Sequence, residues 1–116
     1  MEHGTHLLTT DEQALDTTFD LLRNRHRRDV VEILAEREAS IPLRDLAAAV
    51  GAVKPEPESG SVSPDRTHEI AALLHHVHLP KLDDADVIDY DTETSTVAPV
   101  RTGDLVPFVR AVDGEQ

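Results

Sequence analysis

The stretch HLPKLDDADVIDYD (78–91) carries a helix into a β-strand, and this transition decides the fold. Pro80 cannot donate the helical hydrogen bond to the carbonyl of His76, and its ring clashes with that carbonyl. We therefore predict a kink here, or a helix that tightens and restarts. The helix should end by about Ala85. Asp86 then turns the chain, because aspartate tolerates the left-handed conformation better than most residues.

A β-hairpin is predicted to follow this helix. The segments VIDY, DTET and STVAPV together span residues 87–100, and they place β-branched strands on either side of a polar turn. Pro99 indicates either an edge strand or the end of a strand. A hairpin is marginally stable alone, so Ile88 and Tyr90 on one of its faces are expected to dock on helices.

Two helices are predicted further upstream. Asn24 can cap a helix over 25–37. After a very short strand around Ile41, Pro42 can open a helix over 43–50, and Gly51 is suited to end it.

The helix that leads into the decisive stretch is predicted over 64–85. Ser63 is its cap, and Pro64 occupies the first turn. Residues 51–63 form a loop rich in Pro, Gly and Ser. The predicted buried stripe of this helix consists of Ile70, Leu73, Leu74 and Val77.

Two outer helices complete the pattern. Their apolar stripes, in 11–22 and 104–112, can complete the core or pair with a second copy. Asp104 is the predicted cap of the last helix, with Pro107 in its first turn. The expected organisation is one domain over 11–112, between tails at 1–10 and 113–116.

Three consecutive helices followed by a two-stranded hairpin are typical of the winged helix-turn-helix plan. The predicted fold class is therefore mainly α with a small β-hairpin, and the hairpin is the wing. The turn between the second and third helices of this trio is usually tight, so we interpret 51–63 as an insertion.

The sequence also resembles a known family in three stretches: LLRNRHRRDVVEIL, IPLRDLAAAVG and HHVHLPKLDDADVIDYD. It is similar there to haloarchaeal winged-helix proteins of unknown function, distant relatives of the ArsR-like regulators. The resemblance covers roughly 15–100 and is most specific over 78–91. It implies a DNA-binding fold, dimers and a role in transcription. Two departures are Pro42, where a Ser or Thr cap is common, and Asp86, where glycine usually precedes the wing.

Charge gives a second line of evidence. Eleven basic and 23 acidic residues give 11 − 23 = −12, and lysine occurs only at Lys54 and Lys81. Such a balance disfavours nucleic acid under ordinary conditions. It is also typical of salt-accumulating halophiles, because in molar salt the Debye length falls to roughly 3 Å and self-repulsion is screened. The alternative is an ordinary acidic protein with a basic partner.

Two segments are candidates for DNA contact. The run RNRHRR (23–28) places cations at a helix start, where the helix dipole disfavours them. They would contact phosphates, or else pair with Asp16, Asp20, Asp29 and Glu32. The start of helix 64–85 would meet base edges. The predicted contacts are Arg25, Arg27, Arg28, Arg44, Arg66, Thr67, His68 and His75.

The wing has the wrong sign for gripping DNA. Residues 83–93 carry six acids and no base, and only Arg101 beyond them could serve. We interpret these acids as a solvated face.

Other chemistry is not indicated. His75, His76 and His78 form HHxH, and two of them share a helix face, but a metal site would need a third ligand and the chain has no cysteine. We predict no metal, no cofactor and no catalytic residues, because elbow motifs and glycine-rich phosphate loops are missing.

No apolar run approaches the ~20 residues that cross a bilayer, and the N-terminus does not resemble a signal peptide. The expected function is thus a homodimeric, cytoplasmic, sequence-specific regulator of a halophilic archaeon that binds double-stranded DNA. The alternative is a winged-helix adaptor that binds a protein without touching DNA.

Overall fold

A computed structural model describes residues 15–53 and 63–113, and its elements follow the winged helix-turn-helix order. In chain order these are α1 (15–21), α2 (Arg25–Arg37), β1 (Ile41–Pro42), α3 (Leu43–Val53), α4 (Pro64–Leu73), a π-helical segment (Leu74–His78), α5 (Leu79–Asp84), β2 (Ile88–Asp91), β3 (Thr96–Pro99) and α6 (Thr102–Asp113). The predicted tail 1–10, the start of the predicted first helix and most of the predicted loop lie outside the described residues.

Side-chain caps fix the starts of α2 and α4. The Asn24 side chain accepts a hydrogen bond from the His26 backbone N–H at 2.8 Å, and the Ser63 hydroxyl accepts one from the Arg66 N–H at 3.1 Å. Both bonds satisfy N–H groups that have no partner within the helix. The predicted starts of these helices are confirmed, as is the span 25–37.

The core is aliphatic, as the scarcity of aromatic residues requires. Helix α2 supplies Val30, Val31 and Leu34, and α3 supplies Leu46, Ala47 and Val50. The remaining buried apolar side chains come from every other element: Leu21, Leu22, Ile41, Ile70, Leu74, Leu79, Leu82, Val87, Ile88, Val97, Leu105 and Val109. Helices α2 and α6 pack together, as do α3 and α4, so the outer helix α6 completes the core.

The strands form an antiparallel sheet in the order β1-β3-β2. The predicted hairpin is confirmed, with Tyr90 opposite Val97, and Asp86 adopts the expected left-handed conformation with φ 61°. The sequence predicted that Pro99 marks either the end of a strand or an edge strand, and Pro99 is the last residue of β3. The other alternative, an edge strand, is wrong, because β3 lies in the middle and pairs with β1 through Ile41 and Val97.

The helix widens before Pro80 rather than tightening. The N–H of Leu79 bonds to the carbonyl of Leu74, five residues earlier, so the turn is π-helical. A π turn is a common way to absorb one residue too many, and here it lies where proline interrupts the ordinary ladder. Each residue in this turn is therefore rotated less about the helix axis than it would be in an α-helix. His78 reaches the interior in place of Val77.

The predicted stripe of this helix is accordingly half wrong. Ile70 and Leu74 are fully buried, but Leu73 and Val77 are 43% and 40% exposed. The buried set continues instead through His78, Leu79 and Leu82, which share the face that the widened turn creates.

Several predicted helix ends also need correction. Helix α3 begins at Leu43 as predicted, but Pro42 lies before it and pairs with Thr96 in the sheet instead of occupying its first turn. Gly51 does not end α3, because the helix packs against α4 and continues to Val53 with Gly51 buried inside it.

The last helix begins earlier and ends later than predicted. It starts at Thr102, whose side chain is buried, so Asp104 is not its cap and Pro107 lies inside it. Asp113, assigned to a tail by the sequence, is its last residue.

The described part of α1 presents apolar side chains to solvent. Leu15 and Phe19 are 43% and 46% exposed, and the Phe19 ring meets the edge of Phe108 with centroids 5.9 Å apart. Leu22, just after α1, is buried, so the predicted stripe contributes to the core through its last member. Within the described residues no helix is long and apolar enough to cross a bilayer.

Candidate nucleic-acid interface

Two arginines that are distant in sequence line one cleft. Arg25 stands at the start of α2 and Arg66 near the start of α4, with His26 beside them. Val50, Gly51 and Ile70 complete the lining with Asp29, and the cavity measures about 110 Å³. The cleft exists because the caps at Asn24 and Ser63 begin both helices at the same place in the fold.

Asp29 is the acidic group of this cleft. It is 9% exposed, and its carboxylate lies 4.0 Å from the Arg25 guanidinium. Burial raises the pKa of Asp29 to about 6, against the opposing attraction of Arg25. Glu32 raises it further, while Arg28 lowers it. Near neutral pH the cleft therefore holds a carboxylate that is poorly solvated and loosely paired.

His26 is held neutral by its surroundings. Burial lowers the pKa of His26, and the positive charges of Arg66 and then Arg25 lower it further. The cationic character of the cleft thus belongs to the two guanidinium groups. Arg25 keeps 47% of its side chain exposed. Within the described residues, no intramolecular hydrogen bond or ion pair engages the Arg66 side chain.

Arg27 does not lie on the surface, contrary to its place among the predicted DNA contacts. It is 8% exposed, and its guanidinium donates to the carbonyls of Leu21 at 2.6 Å and Asp20 at 3.3 Å. A third bond, at 3.1 Å, reaches His78 Nδ1. Burial lowers the pKa of Arg27, and Asp20 opposes that shift. This arginine caps the carbonyl groups at the C-terminal end of α1 and cannot reach a phosphate.

Arg28 is likewise engaged within the protein. Its Nη1 donates to the carbonyls of Leu22 at 2.7 Å and Arg23 at 3.1 Å, and its Nε donates to the Asp113 carboxylate at 3.2 Å. The predicted internal pairing of the arginine run is therefore right in kind. Its partners are mostly carbonyls, however. Within residues 15–53 and 63–113, Asp29 is the one predicted acid that forms an ion pair, with Arg25.

His78 is a buried polar residue that sequence reasoning considered only as part of HHxH. It is 6% exposed and accepts from Arg27 through Nδ1, so its own proton belongs on Nε2. Burial lowers the pKa of His78 to about 4, and the charge of Arg27 contributes next. Its ring meets that of His26 edge-on at 5.6 Å. The network joins the end of α1, the start of α2 and the π-helical segment.

The other predicted contacts are divided between surface and scaffold. Arg44 and His68 are exposed, and Thr67 is half-buried. His75 is exposed, but its Nδ1 hydrogen-bonds the Tyr90 hydroxyl at 2.6 Å, which ties the helix to β2 of the wing. Burial raises the pKa of Tyr90, so the phenol stays protonated in this contact.

The acids of the wing include several that stabilise its own backbone. Asp83 accepts from the Tyr90 N–H at 3.1 Å, and Asp91 accepts from the N–H groups of Glu93 and Thr94. Arg101, the one base considered for the wing, donates to the carbonyls of Asp86 and Ala85. The wing therefore presents carboxylates, and the guanidinium of Arg101 beside it is occupied by backbone carbonyls.

The HHxH residues do not converge. His75 contacts the wing, while His78 points into the interior against Arg27. His76 stays beside His75, with ring centroids 4.7 Å apart. In residues 15–53 and 63–113, no group of three or more His, Asp or Glu side chains is arranged to hold a metal ion.

The cleft, helices α2 to α5 and all but the last residue of the hairpin strands fall within one family match. The profile of DUF7344, a domain of unknown function, matches residues 19–98, which is more than half of the chain. The chain belongs to the DUF7344 family. No curated protein and no solved structure matches it significantly. Helix α6, which packs on α2, lies beyond the end of the DUF7344 match.

Proposed function

We propose that this DUF7344 protein is a sequence-specific, DNA-binding transcription regulator of the winged-helix type. The observation that carries the proposal is the meeting of Arg25 and Arg66 at one cleft, beside the start of the helix that occupies the recognition position. Both side chains extend from the N-terminal turns of helices. Backbone N–H groups and guanidinium groups there act together on an anion.

Helix α4 is the reading element in this proposal. In a helix-turn-helix, the N-terminal residues of the second helix meet base edges in the major groove. Here those residues are Arg66, Thr67 and His68, of which Arg66 and His68 are exposed. Arginine reads guanine through O6 and N7. Arg25, on the neighbouring helix, then contacts a phosphate and fixes the register.

The proposal involves few phosphate contacts, so the affinity for DNA would fall only modestly at the high salt concentration of a halophilic cell. Each neutralised phosphate contributes about −0.9 to the slope of log affinity against log salt. With Arg25 as the phosphate contact and with Arg27 and Arg28 engaged internally, one contact per protomer gives a slope of about −0.9, and a dimer gives about −2. The acid surplus and the scarcity of lysine support an origin in a halophilic archaeon. The resemblance to ArsR-like regulators supports the same assignment.

A homodimer in the cytoplasm is part of the proposal. Exposed Leu15 and Phe19 on α1, with Phe108 of α6 beside them, supply an apolar surface that a second copy can cover. Two copies would also present two recognition helices to a palindromic site.

Selection from genomic DNA fragments at near-molar KCl tests the proposal. The wild-type protein should enrich a defined sequence. Arg66→Ala should abolish that enrichment, and Arg25→Ala should weaken binding to all sequences about equally. Arg37→Ala is the matched control. Arg37 is exposed at the opposite end of α2, and its replacement by alanine removes the same charge. No enrichment by the wild type, or equal losses for Arg66→Ala and Arg37→Ala, would refute it.

A second candidate function is a winged-helix adaptor that binds a basic protein. The observation that favours it is the acidic wing, whose nearest base, Arg101, is bound to backbone carbonyls. An adaptor would retain its partner in a pull-down when Arg66 is replaced by alanine. It would lose that partner when Asp89 and Glu93, both exposed on the wing, are replaced by asparagine and glutamine.

A further inference from the structure

A groove runs along the face of α2 that lies towards α6. One hollow of about 310 Å³ is lined by α2 and α6, and another of about 280 Å³ lies between α2, the end of β3 and the start of α6. Ala35 and Gly103 line both hollows, so the two run into one another. Each hollow is close to the lower end of the volume range of ligand pockets, which begins at about 300 Å³.

Apolar side chains form part of the floor of this groove. Leu34, Ala35, Pro99 and Val100 line it at one end, and Val100 is 56% exposed. Gly103 is exposed where the two hollows adjoin, and a Cβ placed on it would meet no atom within 4 Å. The groove can therefore accept aliphatic side chains that displace water from these surfaces.

The rim of the groove is acidic. Glu32 and Glu36 line one hollow and Glu38 the other, against the single base Arg110. In the described part of the chain, the ion pairs are Arg25 with Asp29 and Arg28 with Asp113. No cation among the described residues therefore lies within 4.0 Å of the carboxylates of the rim glutamates.

We propose that this groove docks a cationic segment of another protein, with aliphatic side chains on the floor and Lys or Arg against the rim glutamates. A second copy of this chain is a poor occupant, because its densest basic run, 23–28, has Arg27 and Arg28 bound internally. The groove does not depend on DNA binding and is separate from the cleft of Arg25 and Arg66.

The binding of a labelled synthetic peptide of Leu-Arg-Arg-Leu repeats, followed by fluorescence anisotropy, tests the charge of the rim. Glu36→Lys should weaken binding about fivefold or more, since one attraction is lost and one repulsion is gained. Asp89→Lys makes the same charge change on the wing and should alter the affinity less than about twofold. Equal losses in the two variants would show that the peptide responds only to net charge, and would overturn the proposal.

Filling the groove tests its shape. Gly103→Leu should abolish peptide binding while the circular dichroism spectrum stays unchanged, because a Cβ at this position meets no atom within 4 Å and the longer side chain would occupy the surface shared by the two hollows. Gly103→Ala is the matched control and should keep the affinity. A Gly-Arg-Arg-Gly peptide should bind at least about fivefold more weakly, because it offers the rim charge without apolar side chains.

Three further results would overturn the proposal. The first is unchanged binding to Gly103→Leu, and the second is equal affinity for the glycine-containing peptide. The third is self-association, measured by sedimentation, that disappears in Gly103→Leu, because that would assign the groove to a second copy.

Discussion

Replacing Asp29 with asparagine should reveal a sensitivity to acid that the wild-type protein conceals. Asp29 and His78 are both buried, and their environments shift them in opposite directions: the pKa of Asp29 rises to about 6, and that of His78 falls to about 4. Burial is the largest cause in both cases. Burial therefore favours the neutral form of each group in the folded protein, relative to the unfolded chain.

The two shifts act on stability with opposite signs. Folded Asp29 binds its proton more tightly than its ordinary pKa of 3.8 implies, so its contribution to the free energy of unfolding falls as the pH rises from about 4 to 6. In the folded protein, His78 binds its proton less tightly than its ordinary pKa of 6.5 implies. Its contribution is complete above pH 6.5 and is lost as the pH falls towards 4.

The magnitudes are similar. From 3.8 to about 6, and from 6.5 to about 4, the shifts correspond to about 3 kcal/mol each at about 1.4 kcal/mol per pH unit. Water in the cleft screens Asp29, and we take about 2 kcal/mol for each group. The two contributions then nearly cancel in the wild type. Asp29→Asn removes one of them and should lose about 1.4 kcal/mol more than the wild type between pH 7 and 4.5, since roughly two thirds of the Asp29 shift lies in that range.

Denaturant unfolding followed by circular dichroism, at several pH values in constant 2 M KCl, measures this difference. The salt should change it little, because burial and not a surface charge pair is the principal cause of both shifts. Asp89→Asn, on the exposed strand β2, should follow the wild-type curve. His78→Gln should show the opposite slope and gain stability as the pH falls from 6 to 4. An Asp29→Asn curve parallel to the wild type would refute the reasoning.

Two further predictions concern the core. Leu74→Ala should cost about 2–5 kcal/mol in denaturant unfolding and the neighbouring Leu73→Ala under about 1 kcal/mol, because the π turn buries the first and exposes the second; equal costs would contradict the assigned winding. Arg27→Ala should cost about 3 kcal/mol by stranding buried carbonyls and His78, and Arg25→Ala should stay within about 0.5 kcal/mol. A larger loss for Arg25→Ala than for Arg27→Ala would reverse their assigned places.

Local signals predicted the winged-helix architecture well. Asn24 and Ser63 cap the helices they precede, because a short polar side chain needs only the N–H groups of its own first turn. The left-handed turn at Asp86 and the hairpin after it are also local features. Each is determined by neighbours within a few residues, which the sequence displays directly.

Features that depend on distant contacts were predicted poorly. Pro80 indicates that the helical hydrogen-bond pattern is interrupted. Whether the helix then tightens or widens depends on which side chains after Leu74 pack into the core. Arginines are usually exposed, so nothing in RNRHRR indicated that Arg27 would satisfy the end of α1. The partner of Arg28 at Asp113 is 85 residues away. The cleft itself could be foreseen only in part, by placing Arg25 and Arg66 on a helix-turn-helix frame.

The order of the strands in the sheet constrains how the chain can assemble. The middle strand, β3, is the last to be synthesised, and it supplies the partner for both β1 and β2. Ile41 must wait for Val97, and the Leu43 N–H for the carbonyl of Ser95 at 2.8 Å. A nascent chain that stops before Thr96 therefore has both outer strands unpaired. Such long-range closure is slow, so we expect the sheet to form late and together with the docking of α6.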